Sequence, residues 1–523
     1  MINKIIILFK IARKLAQSDA IKIISKFQEP PKIIKFFSYL LSFSFSNSNK
    51  SVDKNLNDEQ KLCNSIQEMG TTFIKLGQFL STRPDIIGDE IAQQLETLQD
   101  KLPPFSSVEA KEIMKKELGE NNYNSLINIS EPIAAASIAQ VHKAQINDNG
   151  TIKDIAIKIL RPNIKKTFNE EIDALMLLAF IIEGTIKKTK RLKLVEVVFL
   201  LKEITNLEMD LRFEAAAANE FLENTKNDLG FNVPKIFWNF TNENILTLEW
   251  IDGISIREKK ELEKRNIDTK KLSTDVIQHF LRHAVRDGFF HADMHQGNLF
   301  VNENGEIISI DFGIMGRLDK LNRRYLAEIL YGFIKRDYKK VAEVHLRAGL
   351  IPKNVSIDEF AQALRSIGEP IFGQSVKDIS GGNLLKQLFE VTEKFNMQTQ
   401  PQLLLLQKTM VVVEGVARKL NPETNIWETS RPILENWLKE TKDPIISFNE
   451  TIKNTSEVIK RLPELPEIMD KANQALTYFA SGQIPQNSNS YLALSEKKSE
   501  MITLRNQTAI GLLLLVILGL LVF

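Results

Sequence analysis

The stretch His291–Gly313, HADMHQGNLFVNENGEIISIDFG, decides how this chain of 523 residues is expected to fold. Two short apolar runs in it, Leu299–Val301 and Ile307–Ile310, suit β-strands. Asn304-Gly305 between them is a strong turn signal, because glycine tolerates positive φ without steric conflict. The sequence therefore predicts a β-hairpin that brings the preceding loop, HADMHQGN, beside the following loop, Asp311-Phe312-Gly313.

Three side chains at one end of this hairpin point to phosphate chemistry. Asp293, Asn298 and Asp311 offer carboxylate and amide oxygens, the hard ligands that Mg²⁺ takes when it also holds phosphate oxygens. A phosphotransfer site needs one aspartate near the nucleophile and an asparagine and a second aspartate on the metal. A lone DFG arises often by chance, but Asp-x4-Asn followed by a hairpin and IDFG is much rarer. His295 alone is better explained as a structural residue.

Composition narrows the class of protein. Hydrophobic residues make up 43% and charged residues 26%, as in folded globular proteins, and the length suits two or three domains. The net charge of +2 gives no general attraction to nucleic acid. The one cysteine, Cys63, cannot form an internal disulfide or a thiolate metal cluster, which fits a reducing compartment.

The two ends of the sequence differ from its centre. Met1–Phe27 combines a short apolar run with many lysines, and it suits either an amphipathic helix at a membrane surface or an ordinary packed helix. Ser42–Asn55 is rich in Ser, Asn and Lys and predicts a linker.

The last sixteen residues, Thr508–Phe523, are apolar and carry no charged side chain. As a helix they would reach about 24 Å, less than the roughly 30 Å core of a bilayer. Membrane insertion is expected, with local thinning, pairing or only partial insertion, and the alternative is a helix buried in this protein or a partner. The preceding basic residues Lys497, Lys498 and Arg505 favour a cytoplasmic position for the main part of the chain.

Pro132–Lys158 is the second informative region. It contains a small-residue loop, Ala134-Ala135-Ala136-Ser137, then a strand, the turn Asp148-Asn149-Gly150, and a second strand ending in AIK. A kinase-like lobe begins in this way, with a loop over the phosphates and a strand lysine, Lys158, contacting them. Alanine stands where protein kinases carry glycine, and its Cβ limits close backbone approach. Ordinary protein-kinase activity is therefore in doubt.

Two further segments fit a nucleotide site. Thr167–Thr189 and Leu192–Asn224 are predicted to be helical, and Glu214 on the second is the candidate partner of the strand lysine. Ile245–Leu248 predicts a buried strand leading into a connector, Glu249–Gly253, where a two-lobed kinase places the hinge that holds adenine.

The combined motifs resemble the UbiB-type family of atypical kinase-like proteins, bacterial relatives of the mitochondrial proteins that support coenzyme Q synthesis. The motifs are KLGQ, the AAAS loop, AIK, the EMD…E helix, HADMHQGN and IDFG, over roughly residues 62–438. The resemblance implies an α+β, two-lobed protein-kinase-like fold, with an N-terminal helical extension over the active site and a C-terminal hydrophobic anchor helix.

The resemblance also assigns roles residue by residue. Lys75 and Gln78 belong to the KxGQ motif, and Glu208 and Asp210 form an ExD motif with Glu208 facing Lys75. The implied catalytic set is Asp293, Lys75 and Glu208; the metal ligands are Asn298 and Asp311; the nucleotide-binding residues are Ala134, Ala135, Ala136, Ser137, Lys158, Glu214, Glu249 and Ile251.

The predicted organisation has six parts. They are a basic segment and linker at 1–55, the KxGQ extension at 56–130, the N-lobe at 131–252, the C-lobe at 253–440, a helical extension or linker at 441–507, and the anchor at 508–523.

The resulting functional hypothesis is an ATP- and Mg²⁺-binding protein of the bacterial inner membrane, with its catalytic part facing the cytoplasm, that promotes ubiquinone biosynthesis. The implied partners are membrane lipid, quinone precursors and ubiquinone biosynthesis enzymes, and no nucleic acid; a homodimer is left open. Two alternatives remain: a small-molecule phosphotransferase, and a nucleotide-sensing scaffold without chemistry. Oxidative chemistry finds no support, since there is one cysteine and no GxGxxG after a strand.

Overall fold

The computed structural model describes most of the chain between residues 58 and 441. The described ranges are 6–8, 58–81, 102–148, 150–185, 193–373 and 401–441, with the single residues 87, 91, 94, 95, 98, 391, 394, 395 and 397. The predictions for the linker, for the segment after residue 441 and for the membrane anchor at 508–523 lie outside these residues. Within the described ranges, no helix is both long enough and apolar enough to cross a membrane.

The chain divides into two compact units. Among the described residues, the first holds those up to Leu211 together with Asn239–Leu246, and the second holds Arg212–Trp238 and those from Thr247 to Thr441.

The elements of the first unit are the N-terminal helices, a β-sheet and a helix pair. In chain order they are α1 (Asp58–Met69), α2 (Thr71–Ser81), α3 (Ser107–Asn124), β1 (Leu126–Ile127), β2 (Pro132–Ala135), β3 (Ala139–Asp148), β4 (Thr151–Leu160), α4 (Ile164–Thr185) and α5 (Leu194–Glu208).

A long hairpin forms the centre of this sheet. β3 and β4 run antiparallel in unbroken register from Ala139 opposite Leu160 to Asp148 opposite Thr151, which confirms the predicted turn. β1 and β2 both pair antiparallel with β3. From Ile155 to Ile159 every second side chain of β4 is buried, as expected for a strand with one face on a core, whereas Thr151–Lys153 are exposed.

Helix α2 carries the KLGQ motif and is largely buried. Phe73 and Ile74 are covered, and a Cβ on Gly77 would lie 2.7 Å from the side chain of Leu98. The glycine of the motif is therefore needed for close packing against this leucine.

The second unit begins at helix α6. Its elements are α6 (Leu211–Thr225), β5 (Phe231–Asn232), β6 (Ile245–Glu249), β7 (Ile254–Ser255), α7 (Lys259–Lys264), α8 (Thr269–Arg282), β8 (Phe289–His291), β9 (Leu299–Val301), β10 (Ile307–Ser309), β11 (Met315–Arg317), α9 (Lys320–Ile334), α10 (Tyr338–Arg347), α11 (Ile357–Gly373), α12 (Pro401–Leu420) and α13 (Ile426–Thr441). Strand β6 starts with two residues of the first unit, next to β4 in the sheet order β1-β3-β4-β6.

The predicted hairpin of HADMHQGN and DFG is confirmed. β9 and β10 pair antiparallel with Ser309 opposite Leu299, and Gly305 in their turn has φ of 78°. A second antiparallel pair was not predicted: β8 and β11 align Met315 with His291. The start of the first loop and the end of the second therefore lie side by side.

The core of this unit joins helices from distant parts of the chain. Buried residues of α8, such as Val276 and Phe280, pack in one cluster with Val413 and Ala417 of α12. The hydroxyl of Ser273 donates to the carbonyl of Ala417 at 2.8 Å. The helices after residue 400 thus complete the core around α8.

Three boundaries differ from the sequence predictions. The single helix predicted over Leu192–Asn224 is two helices, because the chain breaks at Met209-Asp210. The apolar stripe of Ile277, Phe280 and Leu281 predicts a helix over Thr274–Arg286. The helix instead starts at Thr269, where Asp268 caps the amides of the first turn, and it ends in a π-turn at His283–Asp287. Ala134 and Ala135 lie in β2 and pair with β3, so the loop is shorter than predicted.

Gly288, which ends the π-turn, offers a test of backbone packing. Gly288→Ala is expected to destabilise the second unit more than Gly349→Ala by roughly 1–3 kcal/mol. Both glycines have φ of +67°, but a Cβ at Gly288 would lie 2.4 Å from the carbonyl oxygen of Leu318, whereas at Gly349 nothing lies within 4 Å. The φ penalty of about 1 kcal/mol is common to both variants. Urea unfolding monitored by tryptophan fluorescence measures the difference, and equal midpoints would contradict the packing argument.

Candidate functional site

The small-residue segment forms a tight turn between β2 and β3. We call Ala136–Ile138 the β2–β3 turn; the amide of Ala136 donates across it to the carbonyl of Ala139 at 2.8 Å. Ala134 and Ala135 pair with Val141 and Gln140 in the sheet. Only Ala136 and Ser137 of the four predicted loop residues therefore lie in the turn itself.

Lys158 sits on β4, where it is opposite Val141 in the register with β3. Its predicted partner, Glu214, is in the other compact unit, and their pairing stays a prediction.

The pairing of Lys75 with Glu208 is present in the structure. The Nζ atom of Lys75 on α2 lies 2.8 Å from a carboxylate oxygen of Glu208 at the end of α5, and the side chains are only 13% and 17% exposed. The break after Glu208 explains the geometry, because it ends α5 at the point where this carboxylate meets α2. The pair fastens the KxGQ helix to the helix pair that follows β4.

Breaking this ion pair is expected to lower the free energy of unfolding by roughly 2–4 kcal/mol, because the remaining charge stays mostly buried without its counter-charge. Lys75→Met and Glu208→Gln test each side, and the double variant is expected to lose less than the sum of the two. Urea unfolding followed by circular dichroism is the measurement.

An exposed pair of similar length provides the control. Lys153 and Asp148 lie 2.6 Å apart with side chains 48% and 37% exposed. Lys153→Met is expected to change stability by less than about 1 kcal/mol. If Lys75→Met also lowered the free energy of unfolding by less than about 1 kcal/mol, burial would add nothing to the strength of the Lys75–Glu208 pair.

Asp293 and Asn298 are held together by the loop that precedes β9. The Nδ2 group of Asn298 donates to the backbone carbonyl of Asp293 at 3.0 Å, which leaves the amide oxygen to face a ligand. The carboxylate of Asp293 is 39% exposed and lies 3.7 Å from His295. This arrangement leaves Asp293 accessible to accept a proton from a bound hydroxyl group.

Asp311 adopts an unusual backbone conformation. Its φ is 64°, in the left-handed region that few residues other than glycine enter, and its carboxylate accepts from the amide of Gly313 at 3.2 Å. Such strain gathers at functional sites, where the surrounding structure maintains it. The amide of Ile310, one residue earlier, donates to the carbonyl of Asn298 at 2.9 Å, so the two predicted metal ligands follow adjoining backbone segments.

Glu214 reaches the same loop from helix α6. It is 8% exposed, and its carboxylate accepts from the amide of Phe312 at 3.4 Å. The ring of Phe221, two turns further along α6, lies 6.1 Å from the ring of Phe312. Helix α6 is thus linked to the DFG loop, a contact that the sequence did not predict.

His291, which sequence reasoning passed over, bridges the two loops. It is 1% exposed; its Nδ1 accepts from the amide of Asp293 at 3.1 Å, and its Nε2 lies 3.4 Å from the carbonyl of Ile310. Burial lowers the pKa of His291 despite the opposing effect of Asp293. The neutral ring can thus donate at one nitrogen and accept at the other, which positions the Asp293 backbone.

The connector after β6 only partly matches the predicted hinge. The amide of Glu249 donates to the carbonyl of Lys235 at 2.8 Å, so it is not available to adenine. The carbonyl of Glu249 and the backbone of the half-buried Ile251 remain the candidate adenine contacts.

A buried charged cluster between α6 and the π-turn was also not predicted from the sequence. Asp228, after α6, accepts from His283 at 3.0 Å and from both terminal nitrogens of Arg286, at 2.6 and 3.0 Å. Burial alone would raise the pKa of Asp228, but these hydrogen bonds outweigh it and hold the pKa well below its usual range. His279 is near enough to complete a set of metal-ligand types. The guanidinium occupies both oxygens of Asp228, so we interpret the cluster as a link between α6 and the π-turn.

The residues of the second unit fit Mg²⁺ and nucleotide phosphates. The amide oxygen of Asn298 and the carboxylate of Asp311 are hard oxygen donors on adjoining segments, which suits an octahedral ion that retains phosphate and water ligands. Bound Mg²⁺ would neutralise phosphate charge. Asp293 would orient the acceptor and take its proton, and Glu214 would hold the DFG backbone in place.

Fold and site together define a kinase-like protein, and comparisons with known proteins narrow this class. Residues 97–345 match the ABC1 atypical kinase-like domain, and residues 364–425 match the UbiB helical domain. A relative from Marinobacter nauticus, named probable protein kinase UbiB, is 37% identical over 439 residues, covering 83% of this chain and 79% of the relative.

Relatives with the same name give the same result. Those from Vibrio cholerae and Histophilus somni are 38% and 39% identical, covering 80% and 78% of this chain and 78% and 77% of their own lengths. A solved structure titled as a complex of Rv3197 with erythromycin from Mycobacterium tuberculosis covers 72% of this chain and 95% of its own, at 23% identity and a TM-score of 0.46. The chain belongs to the UbiB family of atypical kinase-like proteins.

Proposed function

We propose that this protein is a membrane-anchored UbiB-family member that binds ATP and Mg²⁺ and promotes ubiquinone biosynthesis. It would do so by ATP hydrolysis or by regulatory phosphotransfer, with its catalytic part on the cytoplasmic side of the bacterial inner membrane. The apolar run Thr508–Phe523 supports the anchor. The name shared by its relatives supports the kinase class.

One observation carries the catalytic part of the proposal. The β9–β10 hairpin places Asp293 and Asn298 on the loop before it and Asp311 directly after it, with Asn298 and Ile310 joined by a backbone hydrogen bond of 2.9 Å. A protein that only senses nucleotide needs metal ligands but has no use for the accessible Asp293.

The Lys75–Glu208 pair supports ATPase activity over ordinary protein phosphorylation. It fixes the KxGQ helix to α5 with a mostly buried contact. In the resemblance drawn from the sequence, this extension occupies the space that a protein substrate would need. Under that resemblance, hydrolysis or transfer to a small acceptor is the expected chemistry.

Phosphate release from Mg-ATP by the detergent-solubilised full chain tests the proposal. The assay is run with and without phenol-headed quinone precursors and vesicles containing anionic lipid, and products are searched for phosphorylated precursor. Release stimulated by these additions is expected. A phosphorylated precursor would instead establish the small-molecule phosphotransferase, and tight ATP binding without release in every condition would establish the scaffold.

A further inference from the structure

Within the described part of the chain, the β2–β3 turn contains hydrogen-bond donors without acceptors. Ser137 is fully buried, and its hydroxyl has no hydrogen-bond partner in the described part of the chain. The backbone amides of Ser137 and Ile138 likewise have no acceptor among the described residues. Native structures rarely leave buried polar groups unpaired, so this buried hydroxyl beside two amides that lack acceptors points to a ligand.

The carbonyl groups of the same turn are, in contrast, held from outside it. The carbonyl of Ala136 accepts from Nε and Nη2 of Arg161 at 3.1 and 2.8 Å, and the carbonyl of Ser137 accepts from the hydroxyl of Thr71 at 2.9 Å. The described residues contain no cis peptide bond. In a trans peptide the C=O and the following N–H point in opposite directions, so each amide is turned away from the residue that holds its carbonyl.

Both holding residues also belong to contacts of the N-terminal extension. Thr71 opens helix α2, four residues before Lys75. Arg161 donates through Nη2 to the carbonyls of Leu102 and Pro103, at 3.3 and 2.9 Å. The orientation of the turn therefore depends on the extension that carries the KxGQ motif.

We propose that Thr71 and Arg161 are positioning residues that aim the amides of Ser137 and Ile138 at the phosphates of a bound nucleotide. Successive backbone N–H groups in a turn can form an anion-binding concavity, called a nest. In protein kinases a glycine-rich loop lets the backbone come close to the phosphates, and alanine limits this. Here hydrogen bonds to the carbonyl groups would turn the amides toward the phosphates without unusual φ angles. This inference rests on the proposed function for the identity of the nucleotide but not for the binding of phosphate.

Thr71→Val tests the inference with little change in shape. The variant loses the hydroxyl donor and is expected to bind Mg-ATP and inorganic tripolyphosphate about three- to tenfold more weakly, as for the loss of one orienting hydrogen bond. Adenosine, which has no phosphate, should bind within about twofold of the parent. Thr71→Ser keeps the hydroxyl and should restore phosphate affinity. Arg161→Lys keeps the charge but loses the planar fork, and should resemble Thr71→Val.

Binding to the full chain is measured by calorimetry, with the melting temperature recorded for each variant. Thr167→Val, on an exposed position of α4, is the matched control and should leave all affinities unchanged. Equal tripolyphosphate affinities in Thr71→Val, Thr71→Ser and the parent would overturn the inference. The proposed function would still be supported in that case if the parent bound ATP. A parent that binds tripolyphosphate but not ATP, with loss in Thr71→Val, would uphold the nest and reject the nucleotide. A parent that binds neither would reject both.

Discussion

Asp311→Asn is expected to reduce turnover of Mg-ATP on the order of 100-fold or more, because it removes the negative charge from a metal ligand at the reacting phosphates. Asparagine has nearly the same shape and tolerates the left-handed conformation, φ of 64°, that Asp311 adopts. The fold should therefore survive the change. Phosphate release at increasing Mg²⁺ concentration is the measurement, and the concentration needed for half-maximal rate should rise.

Asp293→Asn separates chemistry from binding at the same site. Asp293 is assigned to the acceptor and not to the metal, so this variant should keep Mg-ATP affinity and lose turnover. Asp358→Asn, at a side chain that is 82% exposed on α11, is the matched control and should behave like the parent. If Asp311→Asn retained the parent's rate and Mg²⁺ dependence, Asp311 would not be a metal ligand and the proposed site would fall.

The second unit is expected to lose about 4 kcal/mol or more of its stability between pH 6.5 and pH 5. Four histidines in it, His279, His283, His291 and His345, are each less than about 10% exposed. Burial, reinforced by His283, lowers the pKa of His279 from 6.5 to about 3, and burial lowers the pKa of His345 to about 4. Burial also lowers the pKa of His283 and of His291.

The direction of the effect follows from which state binds protons first. The unfolded chain takes up protons near pH 6.5, while the folded unit resists them until well below that, so stability falls as the pH falls. At pH 5, 1.5 units below 6.5, His279 and His345 each contribute a loss of about 2 kcal/mol at roughly 1.36 kcal/mol per unit, because their folded-state pKa values lie below 5. The two losses amount to about 4 kcal/mol, a large share of the roughly 5–15 kcal/mol stability of a typical domain, and the lowered pKa values of His283 and His291 act in the same direction.

Tryptophan fluorescence isolates this unit, because all four tryptophans, Trp238, Trp250, Trp427 and Trp437, belong to it. Urea unfolding of the solubilised full chain at pH 7.5, 6.5, 5.5 and 5 should give steadily lower midpoints. His345→Gln should make the fall in stability below pH 6.5 shallower by the contribution of one proton. Among the described residues, the carbonyl of Val341 is the one group that opposes the effect of burial on the pKa of His345. Midpoints that stay constant from pH 7.5 to 5 would contradict the prediction.

Local patterns were sufficient to predict much of this structure. The hairpin of His291–Gly313 followed from two short apolar runs and Asn304-Gly305, and the β3–β4 hairpin from alternation around Asp148-Asn149-Gly150. In both hairpins, the turn residues and the alternation of the strands lie within one short stretch of consecutive residues. Nothing distant in the chain is needed to decide between the possible structures.

Contacts between distant segments were not predictable in the same way. The hydrogen bond from Phe312 to Glu214 spans 98 positions, and the link of Asp228 to His283 spans 55. The helix breaks between Glu208 and Glu214, although the helical spacing of apolar residues continues through this stretch. The position of the break therefore depends on tertiary contacts. Lys75 and Glu208 were paired through resemblance to the family, not through any pattern in the residues between them.

The contact of helix α12 with the catalytic loop bears on how this family can be divided and recombined. The hydroxyl of Thr409 donates to the carbonyl of Ala292 at 2.9 Å, directly before Asp293. The match to the kinase-like domain ends at residue 345, whereas Thr409 lies within the match to the helical domain. The two named regions therefore share one folding unit across their border. A fragment that ends at residue 345, or a chimera with the helical region of a distant relative, would lack the hydrogen bond that Thr409 makes to the catalytic loop.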